Sequence, residues 1–261
     1  MVKSRHHEDY KELIWALAKT DFTLRYQGSV LGYVWAILKP LFIFTILNFV
    51  FSSIFNPRNQ GIEFYSLQLL VGILLYNFFA EGTGAGMNSL LAKSQLVTKI
   101  YVPRWTIIVA ATVNAALVFL MNLLIIIIFF VINGLTPSLG GVLAFFAFVV
   151  FLYVLILSFG LATAALQVRF RDLSMIWEVI VLVLFYATPI IYPLSMMPAS
   201  NQQAILASPL AFIVHFSKEG LVNDHLPDSW QWFVFAGTVA ACFALSIWIY
   251  RKTIPRVAEF I

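Results

Sequence analysis

Charge is what this chain has least of. Only 11% of its 261 residues are charged and 61% are hydrophobic, against about 25% and about 45–50% in an ordinary soluble domain. So much apolar surface cannot be hidden in one globular core, and the bulk of the chain must face lipid. Cysteine is nearly absent: Cys242 stands alone in an apolar run, which excludes an intrachain disulfide and says nothing of redox compartment. No GxxxxGK[ST] phosphate loop, HExxH, GxSxG or Cys/His cluster of metal-binding spacing occurs, so no convincing catalytic constellation or metal site emerges. The patch Gly82-Thr83-Gly84-Ala85-Gly86 beside Glu81 lacks the lysine and the preceding strand of a phosphate loop. Small residues in a span more often permit close helix packing. The N-terminus, MVKSRHHEDYKEL, lacks the apolar core and cleavage site of a signal peptide, so the first span is expected to serve as an uncleaved insertion signal. His6 and His7 are adjacent in a charged tail with no second ligand pair near them, which reads as a solvated tail.

What is present is a series of long apolar runs. Spans are expected at Gly32–Phe55, Phe64–Ala80 (extending into the small-residue patch), Thr106–Val131, Val142–Leu166, Met175–Ile191 and Trp230–Tyr250. Each approaches or exceeds the ~20 residues that cross a bilayer as a helix, the second and fifth being short. Ahead of them, Tyr10–Tyr26 has helical periodicity, with Tyr10, Leu13, Leu17 and Leu24 on one side and Glu12, Lys19 and Thr23 roughly opposite. It carries too many charges for a span and suits an interfacial helix. Asp21 and Arg25 have the spacing of an intrahelical ion pair, worth about 0.2–0.5 kcal/mol when exposed.

The formal charge of +4 does not call for nucleic acid, because basic residues collect on the cytoplasmic side of a membrane protein. With the N-terminus inside, every Lys and Arg of the 16 except Arg58 and Lys218 falls in a cytoplasmic segment, so six spans with both termini cytoplasmic are expected. Two connections stand out. Met87–Trp105 is basic and long enough for a short helix ending before Pro103; it reads either as a docking element or as a helix resting on anionic headgroups. Tyr192–Ser229 holds four prolines and the apolar piece Ile205–Phe216, too short to span, which fits a re-entrant or interfacial hairpin on the outer side. That hairpin can cap a pore or act as a structural plug. Polar groups within spans are few, and Glu81 and Glu178 lie towards cytoplasmic ends, each either wet or paired with a loop cation. This scarcity argues against ion-driven transport. His215 and His225 suit surface or packing roles better than catalysis.

The run DFTLRYQGSVLGYVWAILKP (Asp21–Pro40) resembles a motif of the membrane subunits of type-2 ABC exporters of bacterial surface polysaccharides. Its elements are Asp21, Arg25-Tyr26, Leu31-Gly32, Trp35 and Pro40. VRFRDL (Val168–Leu173) and TPIIYPLSMMP (Thr188–Pro198) resemble later segments of the same family, in the expected order along the whole chain. Ser208-Pro209 stands where the family often has Asn-Pro, so that asparagine's role is not carried over.

The resemblance implies an all-α integral membrane protein: an N-terminal amphipathic interfacial helix, six transmembrane helices and an outer hairpin between spans five and six. Residues 1–31 would form the tail and interfacial helix and 32–261 the membrane domain, with a coupling loop at 87–105 and an outer gate hairpin at 192–229. The chain would be a transporter subunit in the cytoplasmic (inner) membrane, without cofactor or enzyme activity of its own. It would act as a homodimer with two separate ATPase subunits that bind ATP and Mg, and would export a polysaccharide carried on undecaprenyl diphosphate, such as an O antigen, a capsule or a teichoic-acid-like polymer. Coupling to the ATPase would fall to Lys93, Lys99, Tyr101, Arg104 and Trp105, near a cytoplasmic turn at Arg169, Arg171 and Asp172. Arg5, Lys11, Lys19 and Arg25 are candidates to attract the lipid diphosphate, with headgroup anchoring as their other role. Tyr33, Trp35, Tyr76, Phe78 and Tyr186 are candidates to line the channel, offering flat faces to sugar rings. The alternatives are a type-2 ABC permease for a small lipophilic drug or lipo-oligosaccharide, and a membrane glycosyl- or acyltransferase, for which no acid/base site is seen.

Overall fold

The computed structural model describes residues 5–55, 64–99 and 102–259, and all of their side chains except those at 5–9, 53–55, 99, 256 and 258–259. Among the described residues the regular structure is helical throughout. Helix α1 (Arg5–Tyr26) precedes α2 (Val34–Phe55), α3 (Tyr65–Ala92), the short α4 (Ser94–Lys99), α5 (Arg104–Ile132) and α6 (Leu139–Arg169). Then follow α7 (Leu173–Ala187), α8 (Ala199–Leu206), α9 (Pro209–Val222) and α10 (Ser229–Thr253). Helices α2, α3, α5, α6 and α10 are each long and apolar enough to cross a membrane. Helix α7, at 15 residues, is shorter; Pro189 stops it, and the chain continues as a buried, bent segment through Ile191.

Five of the six expected spans match these helices with shifted ends, while the fifth, expected at Met175–Ile191, corresponds to the short α7. The largest shift is in α3, which runs through the glycine patch to Ala92, so the expected loop at 87–105 is cut to α4 and its flanks. Glycine costs roughly 1 kcal/mol in an isolated helix interior, but here it allows a crossing. A Cβ on Gly86 would stand 3.1 Å from the Cα of Gly160 on α6, and one on Gly82 would strike Ile156 at 2.7 Å. The two backbones therefore meet directly. Helix α3 is the centre of the bundle, with 72% of its apolar window buried, against 17% in α2 and in α10.

The two ends of the bundle differ. At one end α1 lies along α5, with Tyr10 edge-on to Trp105 at 6.0 Å and Ala18 fully buried. Arg104 donates to the Ile254 carbonyl at 2.6 Å, bringing the C-terminal 3-10 turn (Ile254–Glu259) to the same end. At the other end, the apolar piece expected at Ile205–Phe216 is broken at Ser208-Pro209, and α8 and α9 meet at 109°. Phe148 of α6 stacks on Trp232 of α10 at 4.6 Å, and Phe212 of α9 stacks on Phe235 at 4.7 Å, pinning this hairpin to the bundle. Ser138 caps α6 by accepting from Gly141 N at 3.0 Å.

Candidate functional site

The turn joining α1 to α2 needs two left-handed residues, and glycine supplies both, at Gly28 (φ 83°) and Gly32 (φ 46°). This is the physical content of the Gly-Ser and Leu-Gly elements of the sequence. Phe22 stacks on Tyr33 across the turn at 5.3 Å, with Tyr26 against both rings. The turn thereby fixes where the end of α1 points, and it points at α3.

Two ion pairs result. Lys93 donates to Asp21 at 2.6 Å, and Arg25 pairs with Glu81. The Asp21–Arg25 pair expected within α1 is not what forms, for each partner reaches α3 instead. An exposed pair one turn apart gains little, whereas docking α1 onto the bundle brings these charges beside half-buried opposite charges. Glu81 thus pairs with a distant cation, but on helix α1 and not on the expected loop.

Above the Arg25–Glu81 pair opens a cleft of about 850 Å³ between the end of α1, α2, α3 and α5. Its polar lining is Arg25, Lys39, Asn77, Glu81 and Asn122, and Trp35, Pro40 and Phe42 supply apolar walls. Lys39 is exposed and has no carboxylate partner among the described residues. Asn122 is 6% exposed, and its Oδ1 meets no hydrogen-bond partner. The cleft therefore holds more positive than negative charge and an unsatisfied amide.

The expected site residues divide sharply. Of Arg5, Lys11, Lys19 and Arg25, only Arg25 lines the cleft; Lys11 and Lys19 are exposed along α1 and the Arg5 side chain lies outside the described residues. Lys39, Glu81 and Asn122 were absent from the expected set. A signal for Glu81 existed in an acid at the end of an apolar run with no cation within a helical turn. Among the aromatics, Tyr33, Trp35 and Tyr186 keep exposed faces, at 45%, 45% and 61%. Tyr76 and Phe78 do not: Tyr76 donates its hydroxyl to the Val181 carbonyl, and Phe78 stacks on Phe119 at 4.6 Å inside the protomer. Their positions on the central helix α3 leave neither ring a free face in the protomer.

On the basic end, Lys93 is held by Asp21, Arg104 by the C-terminal turn and Trp105 by Tyr10. Lys99's side chain and Tyr101 lie outside the described residues. At the α6–α7 turn Arg169 sits over the Phe170 ring at 5.0 Å, while Arg171 and Asp172 are exposed. The Arg171 carbonyl accepts from Gln167 and Ser174, each at 3.2 Å.

At the hairpin end the segment after α7 is clamped by side chains. Lys218 of α9 is 3% exposed and donates to the carbonyls of Pro189 and, at 3.4 Å, Ile190. Tyr65 donates to the Ile191 carbonyl at 2.7 Å. Gly72 makes room: a Cβ there would lie 3.3 Å from Ile190. The buried Thr-Pro-Ile-Ile turn is thus anchored by both α3 and α9, and the lysine outside the cytoplasmic charge pattern has a packing reason.

Residues 12–220, which carry the α1–α2 turn, the cleft and the clamped segment, match the sequence model of a family described as ABC-2 type transporter. The chain belongs to that family. It is similar over its full length to an O-antigen export system permease protein RfbA of Klebsiella pneumoniae, 26% identical over 262 residues and covering 99% of that protein. It is also similar to an RfbA of Myxococcus xanthus, 26% identical over 84% of each chain. A polysialic acid transport protein KpsM of Escherichia coli is 21% identical over 85% of each. As an ABC-2 permease the protein is an all-helical, multi-pass membrane subunit of a transporter.

Proposed function

We propose that this ABC-2 permease is the channel subunit of an ATP-driven exporter moving a surface polysaccharide, linked to undecaprenyl diphosphate, out across the cytoplasmic membrane. The observation that carries the reading is the cleft holding Arg25 and Lys39 beside the apolar wall of Trp35 and Phe42. A lipid diphosphate needs cations for its phosphates and an apolar surface for its chain, and this cleft presents both. The full-length similarity to O-antigen export permeases supports polysaccharide as the cargo.

In this reading the basic end is cytoplasmic, with both termini there, because Lys and Arg collect on that side. Residues 1–31 form the tail and interfacial helix that carries Arg25, and residues 32–261 form the membrane domain. The segment 87–105 receives a separate ATPase subunit, with Lys99, Tyr101 and Trp105 as its candidate contacts, beside the turn Arg169–Asp172. Lys93 and Arg104 transmit its motion, since one is tied to α1 and the other to the C-terminal turn. Two copies enclose the channel, supported by α7: none of its side chains is buried, and Ile176, Val179, Val183 and Tyr186 form an apolar face free of the protomer's own core. Residues 192–229 form the outer gate.

The test is co-purification with the ATPase encoded nearest this gene, followed by ATP hydrolysis in lipid. A complex of two permeases with two ATPases, whose hydrolysis rises on adding undecaprenyl-diphosphate-linked polymer, is the expected result. Failure of any ATPase to associate would overturn it.

A further inference from the structure

One group in the cleft has no part in attracting a lipid diphosphate. A site for a doubly negative headgroup gains from every cation and loses from every anion, yet Glu81 stands in its wall and pairs with Arg25. The pair is not locked away, since the side chains of Arg25 and Glu81 are 41% and 32% exposed. A bridge this accessible is weakly held and exchanges readily with a stronger anion. A guanidinium contacts phosphate oxygens in the same forked manner as a carboxylate, so Glu81 occupies the place that a phosphate would take. Arg25 and Lys39 against Glu81 leave one excess positive charge in the resting cleft. Once a phosphate displaces Glu81 from Arg25, two cations face the ligand.

We propose that Glu81 is a built-in counter-anion that sets the specificity of the cleft, admitting a diphosphate lipid and rejecting the monoanionic phospholipids that surround it. This rests on the carrier reading of the cleft under the proposed function. A headgroup with a single negative charge and one phosphate gains too little from Arg25 to displace the carboxylate. A diphosphate brings twice the charge, engages Arg25 and Lys39 together, and has oxygens to spare for an amide. Asn122 supplies that amide: it is buried on the cleft wall with its Oδ1 unpartnered, and an amide turned about its last bond presents NH2 donors in the same place. Glu81 also returns to Arg25 when the cargo leaves, so the empty cleft does not fill with bulk lipid.

The experiment measures equilibrium binding of undecaprenyl diphosphate to the intact permease–ATPase complex in nanodiscs, with and without phosphatidylglycerol. Wild type is expected to bind the diphosphate, with Arg25→Gln and Lys39→Gln each weakening it. Glu81→Gln is expected to tighten diphosphate binding about fivefold or more, steepen its salt dependence, and make it far more sensitive to phosphatidylglycerol. Glu81→Asp, which keeps the charge, should restore rejection of phosphatidylglycerol. The same comparison in an Arg25→Gln background removes any contribution from the bridge to the placement of α1. There, adding Glu81→Gln should still tighten binding through Lys39. If Arg25→Gln and Lys39→Gln weaken binding but Glu81→Gln leaves affinity and selectivity unchanged or lowers both, Glu81 is only a strut and the inference is overturned. If wild type binds no diphosphate, or binds it regardless of Arg25 and Lys39, the carrier reading of the cleft falls and this inference falls with it.

Discussion

Lys93 at the end of α3 and Asp21 on α1 lie 2.6 Å apart, 72 residues distant in the chain, and with 19% and 26% exposure their contact is largely sheltered from solvent. This contact joins α1 to the segment proposed to meet the ATPase. Asp21→Asn and Lys93→Gln should each destabilise the protein by about 1 kcal/mol, and the double variant should cost less than the sum. The charge exchange Asp21→Lys with Lys93→Asp should recover part of the loss. Thermal unfolding in detergent gives the coupling, and additive losses would show that the contact carries no energy.

The α3–α6 crossing gives a sharper contrast. Gly86 faces the Gly160 backbone, whereas a Cβ on Gly84 meets nothing within 4 Å. Gly86→Val should destabilise by about 1–3 kcal/mol or block accumulation in the membrane. Gly84→Ala should be neutral or slightly stabilising, since alanine is the better helix former. Membrane abundance and melting temperature check both.

Buried Lys218 donates to the carbonyls of both Pro189 and Ile190. Lys218→Met keeps the apolar stem and removes the ammonium. The variant should lose about 1–3 kcal/mol of stability, with faster amide exchange confined to residues 188–194 and α9. Tyr65→Phe, which removes only the bond to Ile191, should show a smaller version of the same pattern. Uniform exchange along the whole chain would contradict a local clamp.

The aromatics on the cleft differ from those in the core. Phe78→Ala should cost about 3–5 kcal/mol, because its ring is buried against Phe119. Trp35→Ala, at an exposed ring on the cleft, should leave abundance and melting nearly unchanged while lowering export several-fold. Export assayed per unit of membrane protein distinguishes the two outcomes.

Hydrophobicity and its periodicity are local properties that accumulate residue by residue, so they are legible in the sequence alone. The excess of apolar residues, the positions of the long runs, the amphipathic helix ahead of them and the break at the prolines after Ala187 all belong to this class. The glycine patch is legible as a packing surface, though its partner Gly160 is not.

Pairings across the chain are not legible in this way, because they depend on which helices dock. Asp21 and Arg25 look like partners at one helical turn, yet packing of α1 onto the bundle sends them to Lys93 and Glu81, 72 and 56 residues away. Lys218 stands outside the cytoplasmic charge pattern and is buried, because the segment after α7 exposes carbonyls that need a donor. Tyr76 and Trp35 are equally aromatic in composition, but one lies on the helix that every neighbour surrounds and the other on a helix at the rim. Composition places the chain in a membrane; only the docking of α1, α3 and α9 decides which charges are neutralised and which remain open to a ligand, since desolvation and Coulomb attraction act through space and not along the chain.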